Sequence, residues 1–360
     1  MAGLVAAAEL RRLGAEPEVL EKGDRLGGSM ALSTGMIWRY RRFEEFRAEC
    51  PQGDERLQRL VSEHLDRDLD WLESLGAPVR SGETGNPRTV GRHFDPAGLV
   101  RALGGAAGPR VRLGRAVTEL PDRPLILACG GFAASRELVR RHITPEADGL
   151  LVRASPWSTG DGLRLGGAGG ASLSGGMDEF YGRAMPVVPA TIDESQFVAG
   201  VQLYAHHATV RNASGETYQA RTWSEVDVVQ WMARQPEGRA WFEVRPEDLG
   251  RRVRERTVGE MIDWARSAGA EVTTTRSAVT VPVRAGITTT LGGLRIEPDG
   301  RAAPGVFACG ADAGGISTGG YSSGLAGALV LGRVAARAAA QAAVRGERPG
   351  VGVGGQRPGG

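Results

Sequence analysis

Lysine is almost absent from this 360-residue chain, since Lys22 is the only one and arginine carries nearly all of the positive charge. A lysine Schiff base could therefore involve Lys22 alone. The three cysteines, Cys50, Cys129 and Cys309, form no Cys-x-x-Cys pair. Their number and spacing exclude a zinc ribbon and a disulfide framework and indicate a reducing compartment.

Long apolar runs and blocks of one charge are also missing. No segment reaches the roughly 18 continuous apolar residues of a spanning helix, and the first residues lack a basic stretch followed by an apolar one. Basic residues number 44 and acidic residues 42, without a dense basic block. We therefore expect a soluble, cytoplasmic protein of one large or two ordinary domains that binds neither nucleic acid nor a membrane.

Glycine is the abundant residue, at 54 of 360 positions, about twice its usual share. Most glycines lie in short glycine-rich turns rather than in a repeat. Such turns are expected where the backbone closely approaches a ligand at several places.

The first residues have the pattern of the second half of a dinucleotide-binding βαβ unit. Residues 3–13 are small and apolar and predict a helix that begins near Gly3. Residues 18–21 predict a short strand that ends in an acid, Glu21. In such a unit the helix N-terminus binds a pyrophosphate and the acid binds a ribose. The preceding strand and the first two glycines of the fingerprint are not in the sequence.

Further glycine-rich turns follow. Gly27 and Gly28 come shortly after the acid, and a buried strand over residues 124–128 leads into Gly130 and Gly131. Residues 158–163 open another helix, in which Asp161 either caps the helix or contacts a ligand hydroxyl. A strand over residues 305–310, a second glycine-rich loop and a small-residue helix over residues 323–340 complete the pattern.

The composition changes between residues 185 and 284, where glycine thins out and four tryptophans occur. This change predicts a separate mixed domain inserted into the first one. The adjacent His206 and His207 do not predict a metal site, because neighbours on a strand point to opposite faces. His93 is predicted to lie in a polar loop before a helix that begins with Asp95 and a proline.

Taken together and in order, these elements resemble the FAD-dependent fumarate reductase and succinate dehydrogenase flavoprotein superfamily, which includes ketosteroid dehydrogenases. The resemblance extends from residue 1 to about residue 340. It implies an α/β fold: a Rossmann-like FAD-binding domain in two sequence pieces, with an α+β capping domain inserted. The implied boundaries are residues 1–184 and 286–345 for the FAD-binding domain, 185–285 for the capping domain, and 346–360 for a disordered tail.

The resemblance also implies which residues hold the cofactor. Glu21 would bind the adenosine ribose, the helix at Gly3 the pyrophosphate, and Asp312 a ribityl hydroxyl, while the helix near Ser323 would face the flavin. No histidine follows Gly28 where succinate dehydrogenases tether FAD, so we expect noncovalent binding. The full expected set is Gly3, Glu21, Lys22, Gly27, Gly28, Ser29, Thr34, Gly35, Ala128, Gly130, Gly131, Asp161, Gly310, Asp312, Gly324 and Leu325.

Departures from the family bear on the substrate. At the histidine that fumarate-reducing relatives carry, this chain has Thr289, and at the carboxylate-binding arginine it has Tyr321. The stretch expected to carry a proton-donating arginine ends instead in Glu225. We therefore expect a substrate that is a ketone or an enoate rather than fumarate. The expected catalytic residues are Tyr321, Tyr181, Arg183 and Glu225. For Tyr181 and Arg183 the alternative is a structural role at the domain hinge.

The implied activity is hydride transfer between flavin N5 and a C–C bond next to a carbonyl, as a dehydrogenase or an enoate reductase, with an unidentified electron donor or acceptor. The missing first strand leaves a second hypothesis, a non-catalytic remnant that acts as a binding module. We favour a truncated or mis-assigned start, because every later cofactor element is intact. An NAD-dependent dehydrogenase is a third, weaker hypothesis.

Overall fold

The computed structural model describes residues 1–350, which form helices and mostly short strands in a mixed α/β fold. The helices are α1 (Ala2–Arg12), α2 (Phe43–Glu49), α3 (Glu55–Ser74), α4 (Pro96–Ala107), α5 (Arg136–His142), α6 (Asp161–Ala168), α7 (Val226–Ala233), α8 (Val258–Ser267) and α9 (Gly324–Val344). The strands are β1 (Val19–Leu20), β2 (Met36–Tyr40), β3 (Val79–Ser81), β4 (Thr89–Phe94), β5 (Val111–Arg112), β6 (Leu125–Leu127), β7 (Leu151–Val152), β8 (Phe180–Pro186), β9 (Thr209–Arg211), β10 (Thr217–Tyr218), β11 (Arg239–Val244), β12 (Arg252–Val253), β13 (Arg256–Thr257), β14 (Thr273–Thr274), β15 (Val279–Thr290), β16 (Arg301–Ala303) and β17 (Val306–Ala308).

The chain divides into two compact units. The first unit contains Met1–Phe132, Trp157–Met177 and the residues from Thr290 onward, and the second contains Ala133–Pro156 and Asp178–Thr289. These boundaries differ from those predicted at residues 184 and 286. The reason is strand pairing: β7 and β8 both pair with β15, so segments predicted to belong to the cofactor domain lie in the second unit.

The first unit carries its parallel strands in two separate sheets. β1 pairs with β5, and β6 pairs with β17, which β16 extends in the antiparallel direction. No strand among residues 1–350 joins the two sheets.

Helices α1 and α9 form because their sequences are rich in alanine, the strongest helix former. α1 ends just before Gly14, whose φ of 84° terminates the helix, and the Gly14 N–H donates to the Arg11 carbonyl at 2.9 Å. α9 begins after Ser323, whose hydroxyl accepts from the Ala326 N–H at 3.3 Å. Both helices bury most of their apolar residues.

A third, antiparallel sheet in the first unit has the order β2-β4-β3. His93 lies in β4, opposite Met36, and not in the predicted loop. The residues of β4 do not alternate between buried and exposed, so the polar run around His93 did not predict a strand. The predicted helix start is confirmed, because Asp95 caps α4 by accepting from the Gly98 N–H at 2.6 Å.

The second unit is built on a seven-stranded sheet. The order is β10-β9-β11-β15-β14, and β7 and β8 also pair with β15. β11 alternates buried and half-buried residues, as expected for a strand with one face in the core. Helices α5, α7 and α8 belong to the same unit.

Two remaining expectations concern the chain as a whole. Within the described part of the chain, no helix is long and apolar enough to cross a membrane. Of the tail predicted from residue 346, Glu347 and Arg348 form ion pairs with Arg301 and Asp122 at 2.6 and 2.7 Å. Residues 351–360 of that tail lie outside the described residues.

Candidate functional site

The N-terminal part of the expected cofactor site lies where α1 packs on β6. A Cβ on Gly3 would lie 3.3 Å from the Ala128 Cβ, so glycine permits a close approach of helix and strand. The first turn of α1 has neither a capping side chain nor an acidic residue. Its N–H groups and positive dipole end are therefore suited to an anionic group.

Glu21 directly follows β1, as the sequence predicts. Its Oε1 accepts from the Gly23 N–H at 2.7 Å, which holds the side chain within the turn after the strand. Because β1 is a parallel strand, its carboxyl end lies at the edge where ligands bind in such folds. The position of Glu21 is the one expected for a ribose-binding acid.

The turn formed by Gly27, Gly28 and Ser29 requires glycine at two positions. Gly27 and Gly28 have φ values of 108° and 51°, which other residues rarely adopt. A Cβ on Gly27 would lie 2.7 Å from a Val100 side-chain atom, whereas one on Gly28 would meet nothing within 4 Å. The backbone at Gly28 therefore faces open space, which a ligand can fill.

Thr34 and Gly35 are held against β4. The Thr34 carbonyl lies 2.6 Å from His93 Nε2, and the Gly35 carbonyl accepts from the Phe94 N–H at 3.0 Å. Gly35 has a φ of 79°, and a Cβ there would overlap the Phe94 carbonyl. Glycine is thus needed at position 35 for packing within the protein.

Lys22 and Asp161, which are far apart in the sequence, are in contact. The Lys22 ammonium donates to Thr159 Oγ1 at 2.5 Å and forms an ion pair with the Asp161 carboxylate. Gly160 stands at the N-cap of α6, and Asp161 does not cap the helix with its side chain. Of the two alternatives for Asp161, capping is therefore wrong. Thr159 was not among the expected cofactor-binding residues, because no sequence pattern predicts its contact with the distant Lys22.

Asp312 lies at the centre of a buried group of backbone N–H donors. Its carboxylate accepts from the N–H groups of Cys129, of Gly130 at 3.0 Å and of Gly131 at 3.3 Å. Burial raises the pKa of Asp312 to about 6, although these hydrogen bonds favour the ionised form. The resemblance implies a contact of Asp312 with a ribityl hydroxyl, and the structure adds that both carboxylate oxygens accept from the protein backbone.

Gly130, Gly131 and Gly310 complete this region. All three have positive φ values, of 91°, 72° and 65°. A Cβ on Gly310 would lie 2.9 Å from the Ala2 Cβ, so the closing segment also lies against the start of α1. The segments that the sequence predicts around residues 3, 21, 130, 161 and 310 thus belong to one unit.

Tyr321 precedes α9 in the first unit, four residues before Leu325. Its carbonyl accepts from the Tyr40 hydroxyl at 2.7 Å, and its ring lies 5.4 Å from the Trp38 ring in an edge-on arrangement. The next residues include Gly324, where a Cβ would meet nothing within 4 Å. The aromatic neighbours fix the position of Tyr321 just before the helix N-terminus.

The other three expected catalytic residues cluster in the second unit. Tyr181 and Arg183 lie two residues apart on β8, and the Arg183 guanidinium carbon is 4.9 Å from the centre of the Tyr181 ring. Arg183 is buried and donates to the Ser224 carbonyl. Glu225 follows directly, so the local structure brings Tyr181, Arg183 and Glu225 into one group.

Glu225 is held in an unusual conformation. It has a φ of 58° at the N-cap of α7, and its carboxylate accepts from the His206 N–H at 3.2 Å. Burial raises the pKa of Glu225, against the opposing effects of backbone hydrogen bonds and of Arg183. Strained residues and buried carboxylates of this kind are concentrated at functional sites. His206 contacts Glu225 through its backbone N–H, and its ring Nε2 lies 2.9 Å from the Thr222 carbonyl.

The residues of the first unit fit an FAD molecule. The open backbone at Gly28, the uncapped N-terminus of α1 and the acid at the end of β1 offer donors and an acceptor of the kinds that a dinucleotide needs. Glu21 would hold the ribose, α1 the pyrophosphate, and Gly28 and Ser29 the more distal part of the cofactor.

Comparisons with known proteins agree with this fit. Residues 99–327 match the family described as "FAD binding domain", and residues 1–41 match an "NAD(P)-binding Rossmann-like domain". No curated protein sequence matches significantly.

Among solved structures, a flavocytochrome c3 fumarate reductase in an open conformation is similar, with a TM-score of 0.68 and 20% identity over 95% of this chain and 77% of that one. A 3-ketosteroid-Δ4-(5α)-dehydrogenase from Rhodococcus jostii RHA1 has a TM-score of 0.69 and 18% identity, covering 94% of both chains. A 3-ketosteroid Δ1-dehydrogenase from Sterolibacterium denitrificans has a TM-score of 0.69 and 14% identity, covering 94% and 98%. The predicted fold class is thereby confirmed.

Proposed function

Because this chain belongs to the FAD-binding domain family, with FAD as its cofactor, we propose that it is an oxidoreductase acting on a C–C bond next to a carbonyl. The observation that carries the proposal is the assembly, within the first unit, of the glycine turns, Glu21 and the segment leading to Tyr321. When bound, FAD supplies a two-electron centre that accepts or donates hydride at N5. The chain's own residues must then position the substrate and handle the proton.

Tyr321 is the proposed proton-handling residue. Its ring is held by Trp38 and its carbonyl by the Tyr40 hydroxyl, so the phenol has a defined direction. A phenol can donate a hydrogen bond to a carbonyl oxygen of the substrate or transfer a proton at the adjacent carbon. The neutral residues Thr289 and Tyr321 at positions where fumarate-reducing relatives carry charged ones favour a neutral ketone or enoate. The ketosteroid dehydrogenases of similar fold make a steroid ketone the first candidate.

The cluster in the second unit is proposed to contact the substrate. Arg183 is buried, lies over the Tyr181 ring and is next to Glu225, so one positive charge is surrounded by an aromatic face and a carboxylate. Such a group orients a polar substrate atom at low cost in reorganisation. We propose that Tyr181, Arg183 and Glu225 act in this way as substrate-contacting residues of the second unit.

A second candidate function is a non-catalytic binding module. The separation of β1–β5 from the β6–β17 sheet favours it, because a continuous sheet normally supports a dinucleotide site. The visible absorption spectrum of the purified chain separates the candidates. A bound flavin spectrum at one FAD per chain supports the enzyme, and absence of flavin even after incubation with FAD supports the binding module.

Turnover then tests the role of Tyr321. The FAD-loaded chain is assayed with 4-androstene-3,17-dione and an artificial electron acceptor, and separately with fumarate and a reduced dye. We expect turnover of the neutral ketone and a decrease in kcat of about a hundredfold in Tyr321→Phe. Tyr218→Phe, which removes a phenol in the second unit outside the proposed site, should retain full kcat. Equal kcat in wild type and Tyr321→Phe would refute the role of Tyr321.

A further inference from the structure

Asp312 differs from the other acidic residues of the expected site in what its carboxylate contacts. The side chain is 0% exposed, and its two oxygens accept from three consecutive backbone N–H groups, those of Cys129, Gly130 and Gly131. Three charge-assisted hydrogen bonds from one turn to a buried carboxylate are a strong and specific interaction. They fix the turn that leaves β6.

The same residue connects three further segments. The Asp312 carbonyl accepts from the Leu294 N–H at 2.7 Å. A Cβ on Gly162 would overlap the Asp312 carboxylate, so the start of α6 packs directly on it. Gly310, two residues earlier, packs on the start of α1. Asp312 therefore lies where segments far apart in the sequence meet, and two of them, at the starts of α1 and α6, contain the expected cofactor residues Gly3 and Asp161.

A turn with two consecutive positive-φ glycines has little intrinsic preference for one conformation. Gly130 and Gly131 have φ values of 91° and 72°, and glycine loses more backbone entropy on ordering than any other residue. Without the acceptor, three N–H groups would lose their partner, and the turn would be free to take other conformations. The Asp312 carboxylate thus holds the turn in one conformation through contacts within the protein.

We propose that Asp312 is a positioning residue for FAD. Its carboxylate holds the Cys129–Gly131 turn in the conformation that binds FAD. The proposal rests on the proposed function, because it takes this turn as part of the FAD site. It gives the carboxylate a role that is distinct from the contact with a ribityl hydroxyl that the resemblance implies. Asp312 acts only when ionised, since a protonated carboxyl has lost charge and carries a donor that faces other donors.

The proposal implies that FAD affinity depends on pH. With a pKa of about 6 for Asp312, the carboxylate is ionised above pH 7 and protonated at pH 5. The titratable groups that face it are Asp161 at the start of α6, Cys129 after β6 and Cys309 after β17. Burial raises the pKa of both thiols, so they remain neutral across this range. Asp161 is unchanged in all of the variants below.

The first measurement is the FAD dissociation constant of the full chain between pH 5 and pH 8, from quenching of flavin fluorescence. We expect wild type to bind with constant affinity above pH 7 and to bind about tenfold more weakly at pH 5. Asp312→Asn should bind about tenfold or more weakly at pH 7.5 and lose most of the pH dependence. Asp122→Asn, which removes an exposed carboxylate, should behave as wild type. Equal affinities and equal pH profiles in wild type and Asp312→Asn would overturn the proposal.

The second measurement does not need FAD. Hydrogen exchange at the amides of Cys129, Gly130 and Gly131, compared at equal pH, should be at least tenfold faster in Asp312→Asn than in wild type. If Asp312→Asn does not fold, the same amides in wild type at pH 5 and pH 7.5, corrected for intrinsic exchange, give the comparison. Unchanged exchange refutes the positioning role. Faster exchange in a chain that binds no FAD at any pH would instead refute the proposed function while leaving the role of Asp312 in the turn established.

Discussion

At the scale of single residues, a buried ionic group connects three helices of the first unit. Glu9 of α1 is fully buried and accepts from Arg12, from Arg333 at 3.2 Å and from Arg337 at 2.7 Å. Arg333 also donates to Asp68 of α3 at 2.6 Å. Burial opposes ionisation of Glu9, but the hydrogen bonds from Arg12 and Arg337 and the charge of Arg333 outweigh it and lower the pKa of Glu9 to about 2.

Glu9→Gln should lower the free energy of unfolding by about 3 kcal/mol at pH 7, because the buried Arg333 loses one of its two charged partners. A pKa lowered in the folded state means that Glu9 stabilises the fold above the ordinary pKa of 4.5, and that this contribution is lost as the pH falls toward 2. Denaturant unfolding at pH 7 and pH 3 should therefore show a smaller difference between the variants at pH 3. The exposed pair of Asp66 with Arg39 provides the control, since Asp66→Asn should cost less than about 1 kcal/mol. A difference that does not change with pH would contradict this account.

At the scale of elements, the ends of the helices are fixed by local hydrogen bonds that are readable in the sequence. α8 begins with a capping box, in which the Thr257 hydroxyl accepts from the Glu260 N–H at 3.1 Å and the Glu260 carboxylate accepts from the Thr257 N–H at 2.6 Å. A threonine followed three residues later by a glutamate is sufficient for this motif, which depends on local contacts rather than on the rest of the fold.

Thr257→Ala should lower the free energy of unfolding by about 1 kcal/mol, because the N-cap acceptor is lost. Thr257→Ser keeps the hydroxyl and should restore most of that stability. Thermal unfolding of the three proteins under identical conditions is the measurement. If Ser and Ala variants unfold at the same temperature, the cap does not stabilise α8, and packing of its buried face alone holds the helix.

At the scale of the whole molecule, the first unit is assembled from three segments separated in sequence, and the second is built from the two segments between them. A ligand that contacts several of these segments stabilises the folded state by mass action, by about 2.7 kcal/mol at a hundredfold excess over its dissociation constant. FAD should thus raise the unfolding temperature of wild type by several degrees.

The corresponding measurement is thermal unfolding with and without FAD, with NADH as the comparison ligand. NADH should cause a smaller shift, because the match to an NAD(P)-binding domain extends only over residues 1–41. An NADH effect larger than that of FAD would revive the NAD-dependent alternative. Glu21→Gln should reduce the FAD effect, since it weakens the proposed ribose contact at the end of β1.

The sequence by itself determined the elements whose signals are local. The helix predicted over residues 3–13 is observed as Ala2–Arg12, and that predicted over residues 323–340 as Gly324–Val344. The strands predicted around residues 124–128 and 305–310 are present as β6 and β17. Propensity and glycine turns were sufficient for these elements, because each depends on neighbours within about twenty residues. The FAD-binding family was identified by the resemblance that the ordered motifs carry.

Only the tertiary structure decided which groups meet across the chain. The bonds from Asp312 to the turn at residues 129–131 and from Glu9 to Arg333 join positions that no local pattern relates. The assignment of β7 and β8 to the second unit likewise follows from their pairing with β15. Hydrogen bonds and ion pairs in a buried environment depend on which segments pack together, and that choice is made by burial of the whole chain rather than by the residues that form the bonds.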